Sequence, residues 1–105
     1  MTELSDIKNF AQEIAKRYSP EKIILFGSYA RGDAGKYSDV DILLIMNYEG
    51  SAARLTSNIR GNIPFHHSLD LLVRKPEDID WRLAENDFFI KEIMTTGMVL
   101  YETDH

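Results

Sequence analysis

Asp39-Val40-Asp41, running directly into the apolar stretch Ile42 to Met46, most narrows what this chain can fold into. An apolar run of this length and composition reads as a strand buried on both faces, and such a strand belongs inside a sheet covered by helices. Two carboxylates spaced i, i+2 at the start of a strand point the same way, because strand side chains alternate between faces. Like charges side by side at ~4 Å repel by roughly 4 kcal/mol at an effective dielectric of 20. A cation between them removes that cost. Hard divalent ions such as Mg²⁺ take carboxylate oxygens and then bind substrate phosphates. Upstream, Gly27-Ser28-Tyr29-Ala30-Arg31-Gly32 is a small-residue turn able to hold phosphates. Together the two segments point to nucleotide chemistry.

Around this strand the sequence lays out alternating helices and strands. Leu4, Ile7, Phe10, Ala11, Ile14, Ala15 and Tyr18 recur at helical spacing, which predicts an amphipathic helix over 3–18. Ser19-Pro20 ends it, since the residue before proline is pushed out of the helical region. Lys22 to Phe26 is a first strand, broken by Gly27. Ser28 is expected to cap a short helix over Tyr29 to Arg31, and residues 32–36 form a loop. The second strand covers Asp39 to Met46, a helix follows over 50–61, and Leu69 to Val73 is the third strand. Pro76 opens another helix with Glu77 and Asp78 at its positive end. A last helix over 86–96 is closed by Gly97, and Met98 to Tyr101 adds an edge strand.

The fold class is therefore α/β, a small sheet with flanking helices. If Asp39, Asp41 and Asp70 share one site, the starts of strands two and three coincide and those strands are parallel, with the intervening helix as crossover. Bringing the Gly27-Ser28 turn to the same site makes strand one antiparallel to strand two. A mixed sheet follows.

At 105 residues the chain is expected to form one domain, 1–105. Its formal charge of −5 argues against a general nucleic-acid binder, which needs a basic surface. There is no cysteine, which fits a reducing compartment. The start Met1-Thr2-Glu3-Leu4 lacks the basic and apolar regions of a signal peptide. The longest apolar run is too short to cross a bilayer. A cytoplasmic protein is the expectation.

Gly27-Ser28, ten intervening residues and Asp39-Val40-Asp41 resemble the signature of the DNA-polymerase-β-like nucleotidyltransferase superfamily. The spacing and the Ala30-Arg31-Gly32 filling are similar to the minimal nucleotidyltransferase (MNT) group, whose short chains pair as antitoxins with HEPN-domain toxins. The resemblance extends over nearly the whole chain, to the ending Gly97-Met98-Val99-Leu100-Tyr101. It implies a polymerase-β palm-like fold in which Asp39 and Asp41 are ligands of two Mg²⁺ ions and Asp70 is the third acid. The activity it implies is attack of a hydroxyl on the α-phosphorus of ATP, one metal activating the hydroxyl and the other steadying the leaving oxygens. The acceptor by family analogy is a tyrosine of the HEPN partner, in a hetero-oligomer. The alternative is an antitoxin that neutralises its toxin by binding and occlusion.

Each of these residues also has a plainer reading. Asp39 is able to serve as a turn or capping residue, and Asp70 as a strand-end or capping residue. Gly27 permits close phosphate approach that a side chain would block, and Ser28 can donate its hydroxyl to phosphates, yet a Gly-Ser pair alone is a turn. Arg31 is a candidate triphosphate contact or a structural partner of a carboxylate. Lys36 reads as a solvated loop charge and Tyr29 as packing. His66 and His67 cannot both face one way on an extended segment, so they read as loop residues, with His67 able to approach the nucleotide. Trp81, Phe88 and Phe89 are expected in the core on helical spacing, any left exposed forming a partner surface.

Overall fold

The computed structural model describes residues 2–104; the bounds Met1 and His105 of the expected domain lie outside them. In chain order the elements are α1 (Leu4–Tyr18), β1 (Lys22–Phe26), α2 (Ser28–Arg31), β2 (Val40–Ile45), α3 (Ala52–Asn62), β3 (Leu69–Arg74), α4 (Pro76–Ala84), α5 (Phe88–Thr96) and β4 (Met98–Glu102). The strands form one sheet in the order β3-β2-β1-β4. β2 pairs with β3 in parallel and with β1 antiparallel, which bears out the mixed sheet expected from a shared site. β4 lies antiparallel along the other side of β1, with an irregular register between Ile23 and Ile24.

Period-two alternation divides the sheet between two apolar layers. Ile23, Leu25, Val40, Ile42, Leu44, Leu71 and Val73 face α1 and α3, where Ile7, Phe10, Ile14 and Ile59 complete the larger core. Ile24, Leu43 and Ile45 face α4 and α5 and meet Ile79, Ile90 and Ile93. β2 is buried on both faces, as its apolar run requires. Each of these aliphatic side chains contributes about 1.5–3 kcal/mol by leaving water. Among the described residues no helix is long and apolar enough to cross a membrane.

Local signals set the helix ends. Ser19 leaves the helix in the left-handed region at φ 49°, its N–H donating to the Ala15 carbonyl oxygen. Ser51 caps α3 by accepting from the Arg54 N–H, and Asp87 caps α5 by accepting from the Ile90 N–H at 3.1 Å. Two expectations are corrected. Ser28 is the first residue of α2 and Gly27 holds the cap position, where no side chain caps the helix. Trp81, Phe88 and Phe89 are not core: their exposures are 60%, 79% and 53%. The aliphatic residues Ile79, Ile90 and Ile93 fill the positions that α4 and α5 bury against the sheet, and Phe89 reaches only the edge of that layer, against Phe26.

Candidate active site

The sheet register builds the site. Asp41 lies opposite Asp70 across the parallel pair and opposite Phe26 across the antiparallel pair. Asp41 and Asp70 are in phase with Leu43 and Leu72, so they stand on the α4/α5 face, at the end of the sheet beyond the apolar packing. Here a cleft of about 470 Å³ opens between the β1–α2 turn and α5. Gly27, Ser28 and Arg31 line one side of it with Asp41 and Asp70; Phe26, Phe89 and Ile93 line the other. The size suits a small-molecule ligand.

Gly27 is required by this geometry. It sits at φ 74°, ψ −153°, a region essentially reserved for glycine. A Cβ at this position would overlap Oδ2 of Asp41 and lie 3.2 Å from its Cγ. Backbone and carboxylate thus share one small volume. The Asp41 carboxyl is held above its usual pKa by burial first, then by the charges of Asp70 and Asp39, with Arg31 acting in the opposite direction.

Asp39 sits differently. It lies one residue before β2 begins at Val40. Asp39 lines a neighbouring cleft with Tyr29, Lys36 and His67, and its Oδ1 accepts a hydrogen bond from the Ser68 hydroxyl. Ser68 was missing from the sequence reading. Its signal was available, since Ser68 precedes Asp70 by the same two residues that separate Asp39 from Asp41. Phe26, Glu92 and Thr96 also line the cleft that holds Asp41 and Asp70.

The remaining candidates are placed plainly. Arg31 lines the cleft and also pairs with Asp33, Nε to Oδ2 at 3.3 Å. Lys36 is an exposed loop residue whose ammonium lies 5.6 Å from the centre of the Tyr37 ring. Tyr29 packs against the larger core, and its hydroxyl accepts from the Thr2 N–H at 3.3 Å. His66 and His67 lie in the loop before β3, with His67 edge-on to Phe65.

The donor set fits a hard divalent cation. Asp41 and Asp70 offer only carboxylate oxygen, and their mutual repulsion is what a cation relieves. Among the described residues, no three His, Cys, Asp or Glu side chains are grouped so as to hold an ion by themselves. Mg²⁺ usually binds through one or two carboxylates and fills its shell with water and substrate phosphates.

Residues 7–96 match the family model of the nucleotidyltransferase domain, and the chain belongs to that family. It is 36% identical over 76 residues to a Methanocaldococcus jannaschii protein named by inference as a protein adenylyltransferase, covering 70% of this chain and 61% of that relative's length. Its fold is similar to that of a crystal structure of a Sulfolobus solfataricus protein, named by inference as a nucleotidyltransferase. The TM-score there is 0.65 at 22% identity, covering 94% of this chain and 79% of that one. A toxin–antitoxin crystal structure with AMP-PNP is also similar, with a TM-score of 0.59 at 20% identity, covering 92% of this chain and 74% of that one. At these identities the two structures show the fold alone.

Proposed function

We propose that this chain is a metal-dependent adenylyltransferase that moves AMP from ATP onto a protein hydroxyl, and that it serves as the antitoxin of a HEPN-domain toxin modified on tyrosine. The observation that carries the reading is the Asp41–Asp70 pair, set in register at the mouth of a cleft directly beside the Gly27-Ser28 turn. The named activity of the M. jannaschii relative and the toxin–antitoxin neighbour support the same direction.

In this reading Asp41, Asp70 and Asp39 hold two Mg²⁺ ions, which when bound neutralise phosphate charge and lower the pKa of the attacking hydroxyl. Asp39 reaches them by exchanging its Ser68 hydrogen bond. Gly27 lets the triphosphate approach the backbone, while Ser28 and Arg31 contact its oxygens. The acceptor oxygen attacks the α-phosphorus in line with the leaving group. Asp70 takes the hydroxyl proton. The bond from the α-phosphorus to the bridging oxygen breaks, and pyrophosphate leaves with the electron pair. The reaction takes place in the cytoplasm, within a complex of the chain and its toxin.

Neutralisation of the toxin in cells tests this role. Asp39→Asn with Asp41→Asn is expected to abolish protection while the two proteins still associate. Protection that survives the double substitution would move the assignment to an antitoxin acting by occlusion.

A further inference from the structure

The cleft has two chemically distinct halves, and the carboxylates with the Gly27-Ser28 turn account for only one. The other half is a wall made by α5. Phe89, Glu92, Ile93 and Thr96 are spaced i, i+3, i+4 and i+7, so they share the helical face that looks into the cleft. Phe89 is anchored edge-on by Phe26, ring centroids 5.8 Å apart and planes at 83°, yet half of its side chain remains bare. A half-bare aromatic ring packed against Phe26, in the same cleft as Asp41, Asp70 and the Gly27-Ser28 turn, offers a stacking platform. One turn further on, Glu92 brings a carboxylate, which accepts hydrogen bonds and cannot donate them when ionised.

We infer that the α5 wall is the nucleobase subsite: Phe89 stacks the base and Glu92 accepts from its amino group. This rests on the nucleotidyltransferase reading of the same cleft and adds the specificity determinant to it. Purines stack over a larger area than pyrimidines, and adenine and guanine both present amino donors. Uracil presents carbonyl oxygens on either side of its single N–H, and these repel a carboxylate. The subsite therefore selects purine nucleoside triphosphates and rejects UTP.

The test is calorimetric titration of the full chain with Mg²⁺ complexes of ATP, GTP, UTP and inorganic tripolyphosphate, which carries no base. Phe89→Ala is expected to weaken ATP and GTP by roughly 10- to 100-fold and leave tripolyphosphate unchanged. Phe89→Trp, which keeps a stacking face, is expected to retain ATP binding. Glu92→Gln is expected to narrow the preference for ATP over UTP. Phe89→Ala that leaves ATP unchanged, or weakens ATP and tripolyphosphate alike, overturns the base subsite while the nucleotidyltransferase reading stands. Wild-type protein that binds neither ATP nor tripolyphosphate overturns both.

Discussion

Gly27 and Asp41 fit together only because residue 27 has no side chain: a Cβ there would overlap the Asp41 carboxylate oxygen Oδ2. The same residue holds a backbone conformation, φ 74° and ψ −153°, that other residues adopt at a cost of about 1–3 kcal/mol. Gly27→Ala is therefore expected to lower stability and to swing Asp41 away from Asp70. Misplacing a reacting group by about 1 Å costs roughly 100-fold in rate, and a loss of that order in AMP transfer is the expected result. Turnover measured beside the melting temperature checks this; wild-type turnover in a folded variant contradicts it.

Asp41 is held where its charge costs stability. Burial, then repulsion from Asp70 and Asp39, hold its folded pKa above the unfolded value. A group raised in this way binds its proton more tightly in the folded state, so its charged form weakens the fold at all pH above the folded pKa. That penalty fades as pH falls through the folded pKa. Asp41→Asn removes it, so the unliganded variant is expected to melt above the wild type at pH 7 and below it in no buffer near neutrality. Addition of Mg²⁺ and ATP is expected to raise the melting temperature of the wild type and not of the variant. Thermal scans with and without ligand read both effects.

Asp87 works in the opposite sense. The Ile90 N–H, followed by Arg82, holds its carboxyl below the usual value. Its contribution is then present above the unfolded pKa and lost as pH falls through the folded one. Asp87→Ala is expected to lower the melting temperature at pH 7 by uncapping α5 and releasing Arg82, whose Nη1 lies 3.0 Å from Asp87. The gap between variant and wild type closes as the pH drops below about 4, the ordinary aspartate range. A gap that persists into strong acid contradicts this account.

Gly97 closes α5 as expected from the sequence, and does so without a left-handed turn. Its φ is −69°, which any residue adopts, but a Cβ there would strike Ile24 Cγ2 and lie 2.5 Å from the Ile93 carbonyl oxygen. Gly97→Ala is expected to cost about 1–3 kcal/mol through overpacking, measured by denaturant unfolding. A variant as stable as the wild type shows that α5 shifts freely over β1.

What the sequence disclosed follows from which forces act locally. The apolar periods of α1 and β2 are set by burial against many neighbours, and both elements lie within a residue or so of where the pattern puts them. The parallel pairing of β2 with β3 followed from asking three acids to meet. The strands do pair in parallel with Asp41 opposite Asp70, and Asp39 lies one residue before the strand begins. The exposure of Trp81, Phe88 and Phe89 was hidden because a short helix carrying apolar residues on several faces does not disclose which face meets the sheet. Ile79, Ile90 and Ile93 won that face. The close approach of Gly97 to Ile24 depends on two segments distant in sequence, and nothing in the local pattern encodes it.

Intact-mass spectrometry of a HEPN-domain partner, after incubation with this chain, ATP and Mg²⁺, tests the central claim most directly. The account predicts mass increments of one or more AMP units on the partner, absent when Asp41→Asn with Asp70→Asn replaces the wild type. A partner that binds the chain but gains no mass under these conditions contradicts it.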